Sequence, residues 1–320
     1  MELRTFRVPM RHRFRRVTTR EGVLLGGDAG WGEFSPFPEY GPQITAQWLA
    51  AATEAATEPF PDPVRHRVPV NTTVPAVDAA TAYDLVAASG CRTAKVKVAE
   101  PGQQLADDLD RVAAVRDALG PDGRLRVDAN AAWDVETAVH ALGRLDRAAG
   151  GLEYAEQPCP GLDELAELRR RVDVRLAADE SVRTAEDPLR IAGLSAADVI
   201  VVKVQPLGGV WRALEVVEAA GLPAVVSSAV ETSVGLAAGV ALAAALPDLP
   251  HACGLGTATL LAGDLTSRPL EPVDGEIEVR RVAPEAALLD QWAPSPEDSL
   301  VLLERMQAAA EARSAGTGPA

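Results

Sequence analysis

Eight short runs rich in β-branched residues alternate with Ala- and Leu-rich stretches through the middle of this 320-residue chain. These runs cover residues 68–74, 93–98, 125–127, 152–156, 174–177, 199–204, 224–227 and a short piece at 251–253. Strands that alternate with helices in this way build parallel sheets, because each helix carries the chain back to the same edge. Eight such units predict a closed α/β barrel rather than an open sheet.

The segments on either side of these repeats have a different pattern. Residues 1–66 contain three strand-like runs and a helical stretch, and the part after residue 265 has one strand-like run and a last helix. That helix begins after Ser295 with Pro296, a typical N-cap followed by proline. We therefore expect an α+β capping domain made from residues 1–66 and 266–320, packed on a barrel formed by residues 67–265.

Composition restricts the compartment and the partners. The formal net charge of −15 disfavours nucleic acid as a partner, and the most apolar stretch, 235–246, is too short to span a membrane. Cys91, Cys159 and Cys253 are odd in number and far apart, which indicates neither disulfides nor a thiolate metal site. We expect a cytoplasmic protein with no obligate protein partner, and a monomer because no exposed apolar stripe stands out.

Lysine is almost absent from the chain. Lys95, Lys97 and Lys203 stand against twenty-eight arginines, and all three lie in β-branched runs. Arginine keeps its proton inside proteins, whereas burial or a nearby cation lowers the pKa of lysine toward neutrality. The three lysines therefore indicate acid–base chemistry, with chance survival in a lysine-depleted chain as the alternative.

Polar residues stand at the ends of five consecutive predicted strands. They are Lys97, Asp128, Glu156, Asp179 and Lys203, separated by 31, 28, 23 and 24 residues. Each separation is close to one strand–helix unit, and the carboxyl ends of barrel strands meet at one mouth. A single acid at a strand end is usually a helix cap, but five in succession predict a ring of groups around one site.

Three carboxylates without neighbouring histidine or cysteine are the ligands that Mg²⁺ prefers. Beside two lysines, such a metal suits the removal of a proton next to a substrate carboxylate. Lys95 and Lys97 lie two residues apart on one strand face, so the charge of one lowers the pKa of the other.

The sequence around this ring resembles the enolase superfamily, in particular its muconate-lactonising-enzyme subgroup. The resemblance is carried by Lys95-Val96-Lys97, Asp128-Ala129-Asn130, Glu156-Gln157-Pro158, Asp179-Glu180-Ser181 and Lys203-Val204-Gln205. Within the subgroup, residues 227–233 and 253–257 resemble the o-succinylbenzoate synthase family of short, actinobacterial-like chains. The resemblance spans almost the whole chain, and it implies a modified TIM barrel of (β/α)₇β type with a capping domain from both termini.

The resemblance also implies roles for individual residues. Asp128, Glu156 and Asp179 would bind Mg²⁺, with Mn²⁺ as a possible substitute, and no organic cofactor is implied. Lys97 would remove the proton alpha to the substrate carboxylate and then protonate the leaving hydroxyl, and Lys203 would stabilise the enediolate from the opposite face. Residues implied to contact the substrate are Lys95, Asn130, Ser227 and Gly254, the last two through their backbone amides.

The implied reaction is the syn dehydration of 2-succinyl-6-hydroxy-2,4-cyclohexadiene-1-carboxylate to 2-succinylbenzoate, a step of menaquinone biosynthesis. An N-acylamino acid racemase or dipeptide epimerase would use the same two lysines as opposed bases. Two further hypotheses are a Schiff-base aldolase, which would need no metal, and a non-catalytic anion-binding barrel. The arginine-rich stretch 11–16 would close over a dianionic substrate, although solvated arginines on a hairpin or an RNA-binding arm would also explain it.

Overall fold

The N-terminal segment forms a three-stranded antiparallel sheet with one helix packed on it. The computed structural model describes residues 1–14, 17–184 and 189–316 of the chain. The first elements are β1 (Glu2–Phe14), β2 (Val17–Gly27), β3 (Gly30–Phe34) and α1 (Pro42–Thr57), in the sheet order β1-β2-β3. Phe6 and Val8 of β1 are fully buried between more exposed neighbours, so one face of this sheet is part of the core.

The central element of the fold is a curved parallel sheet of seven strands. It follows the short strand β4 (Arg67–Pro69). Its strands are β5 (Thr72–Val74), β6 (Thr93–Lys97), β7 (Arg124–Asp128), β8 (Tyr154–Glu156), β9 (Leu176–Ala178), β10 (Val199–Val202) and β11 (Ala224–Val226). Every neighbouring pair in the sheet is also consecutive in the chain, which is the topology of a barrel.

The crossovers between these strands are helical. The helices are α2 (Ala79–Ser89), α3 (Leu105–Leu119), α4 (Val135–Ala149), α5 (Leu162–Arg169), α6 (Glu180–Thr184), α7 (Leu189–Gly193), α8 (Val204–Leu207), α9 (Val210–Ala220) and α10 (Ser233–Ala245). Local sequence sets their ends: the Asp134 side chain accepts from the Thr137 amide at the start of α4, and Gly150 ends it in a left-handed conformation.

The eighth predicted run, 251–253, closes the barrel through two single bridges instead of a strand. Cys253 bridges to Val70 beside β5, and Gly254 bridges to Ser227 at the end of β11. Consecutive residues thus pair with opposite edges of the curved sheet, which leaves too few pairs on either side to make a ladder. The prediction of a regular strand here was wrong, although the segment occupies the expected place in the barrel.

The prediction of one strand over 68–74 was also wrong. Only β5 enters the barrel, whereas β4 pairs antiparallel with β12 (Glu276–Glu278) in a separate two-stranded sheet. Pro69 has no amide hydrogen to donate, and the Val70 amide donates instead to the Gly275 carbonyl.

The chain continues through α11 (Ala286–Gln291) and α12 (Pro296–Gly316), and α12 packs on α1. The domain bounds at 66/67 and 265/266 stay a prediction.

The buried interior has two parts. The main core fills the space between sheet, helices and cap, and α10 is apolar all round because it is enclosed there. A small separate cluster fills the barrel itself: Tyr154, Ala177, Val199, Val201 and Val225. Tyr154, Ala177 and Val201 each stand two residues before Glu156, Asp179 and Lys203, so the polar side chains follow at the carboxyl ends of the same strands.

Gly32 allows the cap sheet to approach α1. A Cβ atom on Gly32 would lie 1.9 Å from the carbonyl oxygen of Ala52 in α1, so Gly32→Ala must push the helix away from the sheet. We expect this change to lower the free energy of unfolding by about 2–3 kcal/mol in urea denaturation. Gly143→Ala is the matched control, because no atom lies within 4 Å of its added Cβ and α4 should gain about 0.5–1 kcal/mol. Equal stability of the two variants would contradict this account of the interface.

Candidate active site

Strand register places the first three predicted groups in one row. Lys97 pairs with Asp128 across β6 and β7, and Asp128 pairs with Glu156 across β7 and β8. Paired residues of a parallel sheet point their side chains to the same face, here into the barrel mouth. The sequence prediction that these three residues meet is confirmed by the structure.

The row continues on the next two strands. Asp179 directly follows β9, and Lys203 directly follows β10. All five side chains are buried, with Lys97 the most exposed at 9%. Along the sheet the order is lysine, three carboxylates, lysine, so an amine stands at each end of an acidic row.

Each carboxylate of the row bonds to a lysine ammonium. Lys97 Nζ lies 2.5 Å from Asp128 Oδ2, and Lys203 Nζ lies 2.5 Å from Asp179 Oδ2. Lys95 Nζ donates to both oxygens of Glu156, at 2.8 and 2.9 Å, and lies 3.3 Å from Asp128 Oδ2. Lys95, the other lysine of β6, therefore belongs to the same cluster as Lys97.

The two paired lysines differ in proton affinity. Burial lowers the pKa of Lys97 below its ordinary value of 10.5, and the positive charge of Lys95 lowers it further, although Asp128 opposes both. Burial also disfavours the charge of Lys95, but there the carboxylates of Glu156 and Asp128 outweigh it and raise the pKa. Lys97 is therefore the member of the pair suited to act as a base, while Lys95 keeps its proton.

The three carboxylates repel one another. Burial raises the pKa of Glu156, and the negative charges of Asp128 and Asp179 on either side add to the rise. Adjacent buried acids of this kind are stabilised by a hard cation, and their oxygens are the donors that such a cation prefers. No His, Cys, Asp or Glu group among the described residues already converges on one point as a metal site. In the row itself, the carboxylates are turned toward lysines.

A cavity above the row brings barrel and cap together. Its lining residues are Phe14, Phe37, Thr73, Lys95, Lys97, Asp128, Asn130, Lys203, Ser227, Ser228, Ala229, Val230, Gly254 and Thr257. Phe14 and Phe37 come from the cap, and the Lys97 ammonium lies 5.2 Å from the centre of the Phe14 ring. Sequence reasoning missed Phe37, Thr73 and Thr257 as lining residues, although Thr73 is the register partner of Lys95 on β5.

Asn130 contacts the candidate base. Its Oδ1 accepts from Lys97 Nζ at 2.6 Å, its Nδ2 donates to Glu180 Oε1, and its backbone amide donates to Asp128 Oδ1. A left-handed φ of 46°, which asparagine tolerates, permits this turn. Asn130 thus orients Lys97 as well as lining the cavity.

Ser227 and Gly254 line the cavity, but their amides are not free for a substrate. The Ser227 amide donates to the Val202 carbonyl, and the Gly254 amide donates to the Val226 carbonyl. The first bond extends the β10–β11 pairing and the second joins the closing segment to β11, so both amides already have backbone partners, and substrate binding at these residues stays a prediction. The side-chain hydroxyl of Ser227 and its neighbours Ser228 and Thr257 are the polar groups at this wall.

Within the arginine-rich stretch 11–16, Arg11 and Arg13 lie near the end of β1. Arg13 lines a second opening that borders the cavity and reaches Lys97 and Asn130, with Glu39 on its rim. Arg15 and Arg16 lie outside the described residues. The closing of this loop over a substrate stays a prediction.

Buried hydrogen bonds hold the end of β6 in place. Arg111 of α3 donates to the carbonyl of Lys97 at 2.9 Å and to that of Val77 at 2.6 Å. Asp108 accepts from the Ala99 amide just after the strand and also pairs with Arg111. The backbone that carries the candidate base is therefore fixed by α3.

Comparison with protein families matches nearly the whole chain. The family described as Enolase C-terminal domain-like matches residues 77–284, and the one described as Enolase N-terminal domain-like matches residues 5–56. In the part of the chain that the structure describes, no helix combines the length and apolar character needed to cross a membrane.

Two relatives are named o-succinylbenzoate synthase. The chain is 64% identical to the protein of Thermobifida fusca (strain YX) over 279 residues, which is 87% of each chain. It is 53% identical to the protein of Mycolicibacterium smegmatis (strain ATCC 700084 / mc(2)155) over 291 residues, 90% of this chain and 89% of that one.

A solved structure confirms the fold. The L-Ala-D/L-Glu epimerase from Bacillus subtilis superposes with a TM-score of 0.74, covering 88% of this chain and 96% of that chain at 24% sequence identity. The predicted barrel with its cap is therefore confirmed.

The pKa difference between Lys95 and Lys97 can be measured without a substrate. The measurement is competitive acetylation across pH 7–12 in the presence of a chelator, read by peptide mass spectrometry. We expect Lys97 to lose its proton with a pKa below 10.5 and Lys95 to keep its proton to a higher pH. The comparison uses the pH at which the acetylation rate of each lysine begins to rise, which does not depend on how well burial lets the reagent reach it. Identical titration of the two lysines, or a higher midpoint for Lys97, would contradict its assignment as the base.

Proposed function

The chain belongs to the enolase superfamily, and we propose that it is an o-succinylbenzoate synthase that requires a divalent metal ion. It eliminates water from 2-succinyl-6-hydroxy-2,4-cyclohexadiene-1-carboxylate to give 2-succinylbenzoate, as a lyase of menaquinone biosynthesis. The relative that is 64% identical over 87% of this chain bears this name. The observation that carries the proposal is the buried row in which Lys97 and Lys203 flank three carboxylates below one cavity.

We propose Asp128, Glu156 and Asp179 as the ligands of the ion. They come from three neighbouring strands, and the raised pKa of Glu156, caused first by burial and then by the repulsion of Asp128 and Asp179, is the property expected of a cation site. Carboxylate oxygens favour Mg²⁺, with Mn²⁺ as a substitute. When bound, such an ion draws negative charge from the substrate carboxylate and so makes the neighbouring C–H bond more acidic.

Lys97 carries the proton in both halves of the elimination. As a neutral amine it takes the proton from the carbon next to the carboxylate, for which burial and the charge of Lys95 prepare it. The resulting ammonium then donates a proton to the hydroxyl that leaves from the same face. The products are 2-succinylbenzoate and water, and Lys97 ends as the neutral amine with which it started.

Lys203 and Lys95 act through their charge. Lys203, at the other end of the row, faces the opposite side of the ring and stabilises the negative charge that develops when the proton leaves. Lys95 stays protonated between Glu156 and Asp128 and attracts the substrate carboxylate. Lys97 and Lys203 are thus the proposed catalytic pair.

The substrate is a small dianionic carboxylate, and we assign its contacts to Asn130, Ser227 and the wall at Gly254. Asn130 holds the base and meets the substrate beside it. Ser227 offers its hydroxyl, and at Gly254 a Cβ atom would lie 2.5 Å from that hydroxyl oxygen, so glycine keeps this wall open. Pocket lining by these residues supports the assignment.

The alternative reaction is racemisation or epimerisation of an N-acylated amino acid or a dipeptide. Two lysines on opposite sides of one carboxylate site suit that chemistry equally well, because one removes the proton and the other returns it. The barrel and cap are also those of an L-Ala-D/L-Glu epimerase. The names of the relatives favour the dehydration.

We also propose a cytoplasmic location and a monomeric state. All three cysteines, Cys91, Cys159 and Cys253, are free and buried, which fits a reducing compartment. Analytical ultracentrifugation of the purified protein measures the oligomeric state directly.

Replacement of the two lysines tests the proposed chemistry. With Mg²⁺ present, we expect Lys97→Ala to lower kcat for formation of 2-succinylbenzoate, followed by ultraviolet absorbance, by about 10³-fold. Lys203→Ala should lower it by about 10²–10³-fold, since it removes charge stabilisation rather than the base. Arg212→Met is the control, because this arginine is exposed and pairs with Glu215 on the surface of α9.

The same preparations decide between the reactions. Wild-type protein that racemises N-acylamino acids or epimerises dipeptides but makes no 2-succinylbenzoate would overturn the dehydratase proposal. Full dehydratase activity in Lys97→Ala would overturn only the role proposed for Lys97 and would leave the dehydratase proposal standing. Activity that survives exhaustive chelation would remove the metal requirement.

Metal binding has a readout that does not depend on turnover. We expect calorimetric titration with Mg²⁺ to detect binding to the wild type and at least about tenfold weaker binding to Asp179→Asn, because the neutral amide replaces an ionic ligand. Asp122→Asn is the matched control, since Asp122 is an exposed carboxylate in the turn before β7. Unchanged affinity in Asp179→Asn would show that the ion binds elsewhere.

A further inference from the structure

We propose that Arg20 is a positioning residue that ties the cap to the barrel and fixes two walls of the cavity, so that substrate affinity depends on it. The inference rests on the proposed function, because it concerns the same cavity. Arg20 is not among the residues that line the cavity. It acts through Phe37 and Val230, which do.

A single guanidinium joins two distant parts of the chain. Arg20 lies on β2 of the cap and is 2% exposed. Its Nε donates to the carbonyl of Val230 in the barrel at 3.0 Å, and its Nη2 donates to the carbonyl of Ser35 in the cap. Because both bonds are buried and leave from one rigid planar group, they set the distance between the two segments.

The first wall that Arg20 fixes is Phe37. The guanidinium carbon lies 4.4 Å from the centre of the Phe37 ring, so the cation covers one face of that ring. The edges of the ring meet Tyr40 and Trp48 at centroid distances of 6.1 and 6.3 Å. Phe37 is 1% exposed, and its position at the cavity is held from one side by Arg20.

The second wall is the loop that contains Val230. Val230 has a φ of 62°, a left-handed conformation that a β-branched residue adopts only when its surroundings enforce it. Its carbonyl accepts from Arg20, and its amide donates to the Ser228 hydroxyl. The bond from Arg20 is therefore one of the contacts that hold this conformation and keep Val230 at the cavity.

Buried carboxylates on both sides of the interface between cap and barrel surround Arg20. Arg20 interacts electrostatically with Glu231 of the barrel loop and Glu33 of the cap, both of which are buried. Glu33 also accepts from the Thr232 hydroxyl at 2.5 Å and from the Gly235 amide at 3.1 Å, at the start of α10. A buried cation and two buried carboxylates thus cross the interface together, and Arg20 touches both walls.

The test compares Arg20→Met with Arg281→Met. Methionine keeps an unbranched side chain over Phe37 but donates no hydrogen bond, so both walls lose their support. Arg281 is the matched control, because it donates to the carbonyls of Ala55 and Glu58 and stacks 3.7 Å over Phe60 within the cap, away from the cavity.

We expect Arg20→Met to raise KM for the cyclohexadiene substrate by about tenfold or more, while kcat changes less than about threefold, as when ground-state and transition-state binding weaken together. Binding of 2-succinylbenzoate, measured by calorimetry, should weaken by a similar factor. Arg281→Met should keep the wild-type KM even if its Tm falls. All measurements are made at least 15 °C below the Tm of each variant.

Arg20→Lys completes the test, because it keeps the charge and one donor. We expect its KM to lie between those of wild type and Arg20→Met, and it carries the test alone if the methionine variant does not fold. A wild-type KM in Arg20→Met, or in Arg20→Lys when it stands alone, would overturn the inference and leave Arg20 a purely structural residue. Absence of dehydratase activity in the wild type would instead overturn the proposed function, and this inference with it.

Discussion

The arrangement of charged side chains at the barrel mouth depends on the mutual repulsion of three buried carboxylates. Asp128, Glu156 and Asp179 arrive on neighbouring strands, and each is at most 1% exposed. Like charges at such spacing are costly away from water, so cations must lie beside them. The three lysines of the chain supply those cations in the structure, at 2.5–2.9 Å. For Lys97 an arginine would not serve as well, because arginine neutralises charge but cannot then give up a proton.

The register of the barrel strands brings these charged side chains together at one site. Lys97, Asp128 and Glu156 form one row because β6, β7 and β8 pair without an offset at these positions. The layer beneath is different: Arg126 bonds to Glu153 and lies 4.6 Å from the Tyr154 ring, next to the apolar cluster inside the barrel. The barrel interior thus has polar side chains at its mouth above a packed apolar cluster. A shift of one residue in β6, β7 or β8 would turn Lys97, Asp128 or Glu156 into the surrounding core.

The parts predictable from sequence were those that follow from strand alternation. The spacing of Lys97, Asp128, Glu156, Asp179 and Lys203 anticipated a shared mouth because each lies at a strand end. The split of 68–74 and the reduction of 251–253 to bridges were not predictable, since both depend on partners that are distant in the chain. The same holds for the amides of Ser227 and Gly254, whose partners are the distant carbonyls of Val202 and Val226, for Thr257, which meets Ser228 across the barrel, and for Phe37, which reaches the cavity from the cap.

Chemistry and selectivity come from different parts of the fold. A base, an opposed cation and an acidic row are sufficient to remove a proton beside a carboxylate, and they serve dehydration and racemisation equally. After that step, a dehydration loses a hydroxyl group and a racemisation regains a proton. Which of the two follows depends on which carboxylic acid binds in the cavity. The cavity walls are contributed by Phe14 and Phe37 of the cap and by Val230 of the barrel loop. Because cap and barrel residues line this cavity together and meet through buried polar contacts, the position of the cap sets the shape of the space above the charged row.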